Sequence, residues 1–230
     1  MIRLYTGYSL SAGKTVCLTE DQVHYVYHVM RRSIGDEFLL FNGQDGEWLG
    51  QAEILTKKQG VIKLIRQTRP QGQTEGVVLA MALIKKDNFD LVLQKATELG
   101  VRKIIPLITE RTVVSKLNLE RAKHIVIEAA EQCERLDVPE ITEPMPLKTF
   151  LTLDEGQKVY LSERGQSKGK IDKTRPVCFV VGPEGGWSPA EIQAFERVEG
   201  MIALNLGRLI LRAETAAISI LSAYRFDIFS

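Results

Sequence analysis

The segment VCFVVGPEGGWSPAE, residues 177–191, joins an apolar run to a helix start through a glycine-rich turn. Its first five residues, Val177–Val181, are all apolar, as in a parallel strand that is buried on both faces. Ser188 is followed by Pro189 and, three residues later, by Glu191, which predicts a helix with a capping box and proline in its first position. The segment therefore predicts a strand, a turn and a helix in direct succession.

The turn itself, Gly182–Gly186, is a candidate ligand loop. Ligands in open α/β sheets bind at the carboxyl edge of the strands, and glycines there let a ligand approach backbone N–H groups closely. Tight turn geometry without any ligand explains the same glycines equally well. The loop lacks the lysine of a phosphate-binding GxxxxGK[ST] motif, and the chain contains no GxGxxG. The string GxSxG at Gly165–Gly169 has no histidine after it, so we interpret it as a chance match.

Outward from this segment, strands and helices alternate. An alternation of this kind predicts a parallel sheet covered by helices, and hence an α/β fold class. The predicted strands are Val77–Ile84, Ile104–Ile108, Lys158–Ser162, Val177–Val181 and Met201–Leu206. The predicted helices are Asn88–Leu99 (capped by Asp87), Leu119–Leu136, Leu147–Leu153, one after Ser188 and one after Arg212. The basic segment Arg164–Pro176 is predicted to be a mobile loop.

The first 70 residues have a different pattern of predicted secondary structure, with short strands around one helix. Turn dipeptides at Asn42-Gly43 and Asp45-Gly46 favour hairpins. We predict a small antiparallel barrel here, and a boundary in the polar segment of residues 68–76, which gives domains 1–70 and 71–230. The predicted elements are strands at Thr15–Leu18, Asp36–Phe41, Glu47–Leu55 and Val61–Arg66, and a helix at Glu20–Arg32 with Val23, Val26, Tyr27 and Met30 on one face.

Composition excludes several classes of protein. The 230 residues are 44% hydrophobic and 26% charged, with a net charge of +1, which excludes a disordered chain and a uniformly basic surface. Residues 1–70 carry nine basic and seven acidic side chains, a slight excess of +2. The three cysteines show neither a disulfide framework nor zinc-ligand spacing. No signal peptide or membrane span is predicted, so we expect a cytoplasmic protein.

A second candidate segment lies near the C-terminus, at Leu204–Ile218. It predicts a strand that ends at Gly207, an apolar loop, and a helix with Arg212 and Glu214 at its start. A glutamate there also suits the helix dipole, and Arg212 could equally be an ordinary surface arginine.

The three histidines do not form a metal site. His24 and His28 are four residues apart on the predicted helix, without a third ligand nearby, and His124 is distant in sequence. His24 and His28 indicate one face of the predicted helix, and contact with RNA is one alternative role for that face.

In this order, the two C-terminal motifs resemble the 16S rRNA (uracil(1498)-N3)-methyltransferase family of the SPOUT class. The resemblance covers nearly the whole chain. It rests on VGPEGG…SPAEI at 181–192 and LG…ILRAETA at 206–216, on KATELGV at 95–101, P…TER at 106–111 and EAAEQC…VPEI at 128–141, and on VMR…GD…LFNG at 29–43.

The resemblance implies a PUA-like barrel, residues 1–70, followed by a SPOUT methyltransferase domain, residues 71–230, with a C-terminal trefoil knot. It also implies a homodimer, S-adenosylmethionine as cofactor, no metal, and 16S rRNA of the small ribosomal subunit as partner. Transfer of a methyl group to uridine N3 requires loss of the N3 proton from an unpaired or flipped-out base.

The resemblance also implies residue roles. Arg212 is expected to stabilise the developing uracil anion, and Glu214 to orient Arg212 or assist deprotonation. Phosphate contacts are expected from Arg31, Arg32, Lys168 and Lys170. The residues expected to bind the cofactor are Gly182, Pro183, Glu184, Gly185, Gly186, Leu204, Leu206, Gly207, Ile210, Leu211 and Thr215.

Two other functions stay open at this point. One is a different SPOUT enzyme that modifies tRNA or a ribose 2′-OH, and the other is a non-catalytic RNA-binding assembly factor. The presence of the glycines at 182, 185, 186 and 207 together with Arg212 and Glu214 speaks against the second.

Overall fold

The computed structural model describes residues 1–72, 76–163 and 167–227. The chain forms two compact units. The first comprises Met1–Thr74 together with Ala130–Val138, and the second comprises Glu75–Ala129 and Pro139–Ser230. A short segment from the middle of the chain therefore belongs to the N-terminal unit, which the sequence pattern did not indicate.

The first unit is built on a five-stranded sheet. Its strands are β1 (Ile2–Tyr5), β2 (Thr15–Cys17), β3 (Glu37–Phe41), β4 (Glu47–Leu55) and β5 (Gly60–Arg69). The strand order is β1-β3-β4-β5-β2, and β1 pairs with β3 in parallel while the other neighbours are antiparallel. The prediction of an entirely antiparallel arrangement was therefore wrong at β1, a strand that the sequence analysis missed. Its buried side chains pack in one apolar core with β3 and β5.

The helix of this unit differs from the predicted Glu20–Arg32. Helix α1 spans Glu20–Val23, with a capping box at Thr19, and continues as a π-helix over His24–Val29. The wider winding is marked by the Met30 N–H, which donates to the Tyr25 carbonyl five residues earlier. Arg31, at φ 53°, then ends the helix. Met30 is consequently 37% exposed instead of lying on the inner face.

A buried ionic network ties β1, β4 and β5 to the 130–138 segment. The Arg3 Nε donates to Glu47 Oε2 at 2.8 Å, and both side chains are almost fully buried. The same guanidinium donates to the carbonyls of Ala130, Glu131 and Arg135, at 3.1–3.2 Å. Arg69 also reaches Glu47, at 2.8 Å. The guanidinium of Arg3 therefore satisfies both a buried carboxylate and backbone carbonyls at the end of a helix.

This network makes the stability of the first unit depend on pH. Burial raises the pKa of Glu47, but hydrogen bonds from Arg69, Arg3 and Thr68 outweigh it, and the net pKa lies below the ordinary 4.5. A carboxyl group with a depressed folded-state pKa contributes stability that is present above pH 4.5 and lost as pH falls through the folded pKa. We expect unfolding of this unit, followed by Trp48 fluorescence in a Trp187→Phe background, to become easier below that pH. Glu47→Gln should flatten the dependence, and an unchanged slope in that variant would contradict the assignment to Glu47.

The second unit contains a seven-stranded sheet in which all paired strands are parallel. Its strands are β6 (Val78–Ala82), β7 (Lys103–Ile108), β8 (Glu140–Ile141), β9 (Met145–Pro146), β10 (Gln157–Leu161), β11 (Val177–Val181) and β12 (Ile202–Leu204). The order is β12-β10-β11-β6-β7-β8, with β9 also paired to β7. The predicted α/β class is confirmed. The two-residue strands β8 and β9 were missed because so short a run has no periodicity, and the knot stays a prediction.

Five helices accompany this sheet in the described residues. They are α2 (Lys86–Glu98), α3 (Leu119–Gln132), α4 (Leu147–Leu151), α5 (Pro189–Glu196) and α6 (Ala213–Arg225). Helix α5 begins as predicted, with a capping box between Ser188 and Glu191. None of the described helices is long and apolar enough to cross a membrane.

Several helix boundaries of the second unit were predicted wrongly, among them the end of α4, which lies at Leu151 instead of Leu153. Asp87 is not the cap of α2, since Lys85 occupies that position and its carbonyl already accepts from the Phe89 N–H at 3.0 Å. Helix α3 ends at Gln132 instead of Leu136, because Glu134 adopts a φ of 61° that a right-handed helix cannot contain. Cys133, predicted to face inward, is only partly buried as a result.

The predicted mobile loop is partly ordered by the sheet. Of its residues, Arg164–Gln166 lie outside the described part of the chain, as does the start of the GxSxG string. Lys168 exchanges two backbone hydrogen bonds with Ala203 of β12, at 2.8 and 3.1 Å. The Asp172 N–H donates to the Gln157 side chain at 3.1 Å. The described portion of the loop is therefore anchored to β10 and β12.

Candidate active site

A cavity of about 620 Å³ lies where the carboxyl ends of β6, β10, β11 and β12 meet. This is the edge at which open parallel sheets bind ligands, and the volume falls within the usual range for small-molecule sites, about 300–1,000 Å³. Its wall consists of the loops that follow these four strands and β7, together with the start of α6. The lining residues are Ile84, Lys85, Asn88, Arg111, Val113, Val114, Leu161–Glu163, Val181–Trp187, Asn205–Gly207, Leu209–Glu214 and Ala216.

The loop Gly182–Gly186 forms one wall and is shaped by its glycines. The Gly186 N–H donates to the Pro183 carbonyl at 2.9 Å, which closes a turn, and Gly186 has a φ of 65° that favours glycine. A Cβ on Gly182 would lie 3.0 Å from the indole of Trp187. That indole is fixed, since its Nε1 donates to the Leu161 carbonyl at 2.8 Å. At its three glycines the loop therefore has no side chain between its backbone and the cavity.

The loop after β7 makes one hydrogen bond to the glycine loop and another to the first turn of α5. Arg111 Nη1 donates to the Gly185 carbonyl at 2.8 Å. The Glu110 N–H donates to Glu191 Oε1 at 2.9 Å, while the other oxygen of Glu191 accepts from the Ser188 N–H at 2.8 Å. Glu191 therefore caps its own helix and positions the neighbouring loop with the same buried carboxylate.

A third wall is organised by Asn205, directly after β12. Its Nδ2 donates to the Ser162 carbonyl at 3.1 Å, and its Oδ1 accepts from the Gly207 N–H at 2.8 Å. Gly207 has a φ of 123°, which L side chains rarely adopt. The apolar residues that follow it, Leu209 and Ile210, are 81% and 64% exposed beside the cavity.

The start of α6 places an arginine and a glutamate at the cavity. Arg212 is the N-cap residue, exposed, and makes no side-chain capping hydrogen bond. Glu214 is 7% exposed, and its Oε2 is buried without a hydrogen-bond partner among the described residues. A buried carboxylate oxygen without a partner is costly, so a donor from a bound molecule is expected to satisfy it.

The structure brings most of the predicted site residues together. Of the predicted cofactor set, Leu204 and Thr215 are not among the residues that line the cavity. Leu204 lies in β12, and Thr215 is on the exposed side of α6. The predicted residues that do line it are Gly182, Pro183, Glu184, Gly185, Gly186, Leu206, Gly207, Ile210, Leu211, Arg212 and Glu214.

The predicted RNA contacts lie elsewhere. Arg31 and Arg32 are exposed residues of the first unit, and Lys168 and Lys170 are exposed residues of the second. None of the four lines the cavity. Their role stays a prediction, as do the roles of all the site residues.

Sequence reasoning missed Arg111, Asn205 and the second role of Glu191. Arg111 and Glu110 follow strand β7, so their place at the carboxyl edge of a predicted parallel strand was the available signal. The bonds that join Arg111 to Gly185 and Glu110 to Glu191 cross 74 and 81 residues of chain, which no local pattern reveals.

The thiol of Cys178 is not among the groups that line the cavity. Burial of Cys178, in β11, raises its pKa to about 12, so its thiol stays protonated at neutral pH. Within residues 1–72, 76–163 and 167–227 there is no group of three or more His, Cys, Asp or Glu side chains placed to hold a metal ion.

We expect Gly182→Ala to weaken binding of a ligand in this cavity by about tenfold, a loss of about 1.4 kcal/mol. The new Cβ would lie 3.0 Å from a hydrogen-bonded indole, so Trp187 or the loop, both of which line the cavity, must shift. Gly7→Ala is the control, because a Cβ there meets nothing within 4 Å. Calorimetric titration measures both variants, and equal affinity in the two would show that the close packing of Gly182 is irrelevant to binding.

Comparison with known proteins gives consistent matches over both units. The sequence profile of an RNA methyltransferase domain matches residues 72–225, and that of an RNA methyltransferase PUA domain matches residues 18–65. Ribosomal RNA small subunit methyltransferase E of Rickettsia conorii is 34% identical over 97% of this chain and 94% of its own length. The protein of the same name from Synechocystis is 34% identical over 88% of this chain and 70% of its own length.

A solved structure shares the fold. The crystal structure of ribosomal RNA small subunit methyltransferase E from Neisseria gonorrhoeae, bound to S-adenosylmethionine, is 32% identical to this chain. It covers 98% of this chain and 97% of its own, with a TM-score of 0.88.

Proposed function

The chain belongs to the ribosomal RNA small subunit methyltransferase E family, and from that premise we propose that it transfers a methyl group from S-adenosylmethionine to N3 of a uridine in 16S rRNA. The coarser activity, S-adenosylmethionine-dependent methylation of ribosomal RNA, follows from the family. The uridine and its N3 position are the further step that we propose.

The cavity at the carboxyl edge of β6, β10, β11 and β12 is the observation that carries this function. Its walls suit a molecule that combines a flat ring with several polar groups, because backbone of the glycine loop alternates with aliphatic side chains such as Leu206, Ile210 and Leu211. Glu214 adds one buried acceptor without a partner in the described chain. A cationic or hydrogen-bond-donating group of a bound molecule fits that acceptor.

These features fit S-adenosylmethionine, which when bound supplies an activated methyl group on a positively charged sulfur. We propose that the Gly182–Gly186 loop and the Leu204–Leu211 segment hold it, with Thr215 at the edge of the site. The Arg111 bond to the Gly185 carbonyl holds the first loop against the loop after β7, and that second loop is in turn positioned by the Glu110 N–H bond to Glu191. A loop that is already ordered loses less conformational freedom on binding.

The uracil that receives the methyl group requires a different set of protein groups. Uracil N3 carries a proton that must leave before or during methylation, so negative charge develops on the base. We propose that the Arg212 guanidinium stabilises this charge, because it is exposed at the mouth of the cavity and its side chain makes no capping bond. Glu214, on the same first turn of α6, would orient Arg212 or assist removal of the proton.

The other predicted roles complete the proposal. Residues 1–70 would form the RNA-binding domain and residues 71–230 the methyltransferase domain with its trefoil knot. Arg31, Arg32, Lys168 and Lys170, all exposed, would contact phosphates. We also propose a homodimer that acts in the cytoplasm on the small ribosomal subunit.

Two measurements test the proposal in sequence. The first titrates S-adenosylmethionine into a Trp48→Phe variant and follows Trp187, which lines the cavity and is the only other tryptophan. We expect a saturable change in fluorescence. No change, with no heat of binding by calorimetry, would remove the cofactor from the proposal.

The second measurement identifies the product. Unmethylated small subunits are incubated with the protein and S-adenosylmethionine, and the rRNA is digested to nucleosides for mass spectrometry. We expect N3-methyluridine at one position in 16S rRNA. A methylated ribose, or methylation of tRNA alone, would instead support another SPOUT activity. Cofactor binding without any methylated nucleoside would favour an RNA-binding assembly factor.

A further inference from the structure

The π-helix of the first unit carries a pair of exposed histidines that the proposed chemistry does not use. The rings of His24 and His28 lie with their centroids 5.1 Å apart and are tilted by 36°. Both side chains are exposed, as is Tyr25 next to them, at 41%. Aromatic rings at such a separation are in contact. This pair, His24 and His28, is called the histidine platform below.

The histidine platform is supported by the core of the unit. Tyr27 is partly buried and packs against the apolar core, and its ring meets His28 edge-on, with centroids 5.0 Å apart. Val26, on the same helix, is completely buried. The ring of His28 therefore rests on a side chain that is itself fixed, which reduces the entropy that a ligand must overcome when it packs on the imidazole.

The π-helical winding of this segment determines where the two histidines and the arginines after them lie. A π-helix has more residues per turn than an α-helix and is found frequently at functional sites. It ends at Arg31, whose φ of 53° is a left-handed conformation that non-glycine residues adopt at a cost. Because the Arg32 N–H donates to the Val26 carbonyl at 2.9 Å, the chain turns sharply here. Two exposed guanidinium-bearing residues, Arg31 and Arg32, consequently follow the platform directly.

We propose that the histidine platform stacks with an unpaired nucleobase of the RNA substrate while Arg31 and Arg32 contact the adjoining phosphates. Every base has a flat π-face, so stacking on an imidazole needs no particular sequence. Cationic side chains beside the rings are complementary to the phosphate charge. This proposal rests on the proposed function, since it identifies the feature of RNA that the first unit binds: a single-stranded, splayed-out base.

The other chemistry that two histidines suggest is a metal ion. The described residues contain no third His, Cys, Asp or Glu placed to complete such a site. Direct contact between the two rings also suits a stacking surface better than a pair of ligands. The stacking proposal therefore accounts for both the ring geometry and the flanking arginines.

The test measures binding of a short single-stranded oligouridylate that contains one 2-aminopurine, whose fluorescence falls when it stacks. Stacking on an aromatic side chain is worth about 1–3 kcal/mol per base. We therefore expect the double variant His24→Ala, His28→Ala to bind the oligonucleotide at least about fivefold more weakly. Quenching of the probe should decrease with it. When His28 is replaced by Phe instead of Ala, in the same His24→Ala background, the affinity and the quenching should both be restored, because the proposal requires an aromatic ring and not a charge.

The matched control is His124→Ala, which removes an exposed histidine of the second unit. It should leave oligonucleotide binding unchanged. An oligomer of the same length with abasic sites should bind the double variant and the unaltered protein equally, since only phosphate contacts remain. Equal binding of the base-containing oligomer, or rescue by His28→Lys but not His28→Phe, would overturn the stacking proposal. S-adenosylmethionine titration of the double variant separates this result from failure of the proposed function, because cofactor affinity should not change.

Discussion

Arg212→Ala is expected to reduce the rate of methyl transfer by about 10²–10³-fold, the loss typical when one group that stabilises developing negative charge is removed. The proposed charge develops on the uracil base, so the lost guanidinium stabilises the transition state and not the bound cofactor. Affinity for S-adenosylmethionine should therefore stay nearly unchanged. Single-turnover assays on unmethylated small subunits measure the rate, and calorimetry measures the affinity.

We expect this substitution to leave the fold unchanged. Arg212 is exposed at the N-cap of α6 and donates no side-chain capping bond, so alanine should not unfold the helix. Arg208→Ala is the matched control, because Arg208 is also exposed in the same segment but does not line the cavity. The Arg208→Ala variant should transfer the methyl group at a rate within a few-fold of that of the unaltered protein. If Arg212→Ala weakened cofactor binding as strongly as it slowed transfer, Arg212 would be a cofactor-binding residue and not a catalytic one.

Arg3→Ala is expected to lower the free energy of unfolding of the first unit by about 3–5 kcal/mol, the usual cost of removing one partner of a buried ion pair. Arg3 is 6% exposed and donates to Glu47 and to the carbonyls of Ala130, Glu131 and Arg135. Its removal leaves Glu47 with Arg69 and Thr68 alone, and leaves three carbonyls without this donor. Urea titration followed by Trp48 fluorescence, in the Trp187→Phe background, measures the change.

Arg66→Ala provides the control for this loss. Arg66 also lies in the first sheet, on β5, but its side chain is exposed. Substitution of an exposed arginine should change the free energy of unfolding by no more than about 0.5 kcal/mol. A similarly small effect for Arg3→Ala would mean that the network is energetically neutral, with desolvation of the ions cancelling their attraction.

Local sequence rules worked best where one segment contains all the partners. The strand Val177–Val181 and the cap of α5 were predicted to the residue, because a continuous apolar run, a proline and a capping box act within a few positions. Helix ends set by a single unusual backbone angle were missed. Arg31 and Glu134 have positive φ values, and neither residue type signals this in advance.

The residues of the candidate site likewise fall into those that local sequence indicates and those whose contacts depend on the fold. The glycines at 182, 185, 186 and 207 and the residues Arg212 and Glu214 are visible as motifs, since each occupies a position next to a strand end or a helix start. Arg111 also follows a strand and Glu191 belongs to a predicted capping box, but neither position reveals the contact that is made with a distant segment. Their roles depend on hydrogen bonds to residues 74 and 81 positions away in the chain.

By itself, the sequence determined the alternation of strands and helices, the two loops that line the cavity and the family resemblance, because these depend on residue type and local spacing. Only the tertiary structure decided that β1 pairs in parallel with β3, that residues 130–138 belong to the first unit, and that Glu214 has a buried oxygen without a partner in the described chain. Each of these facts depends on how distant segments meet, because burial and hydrogen bonding between such segments exist only once the chain has folded.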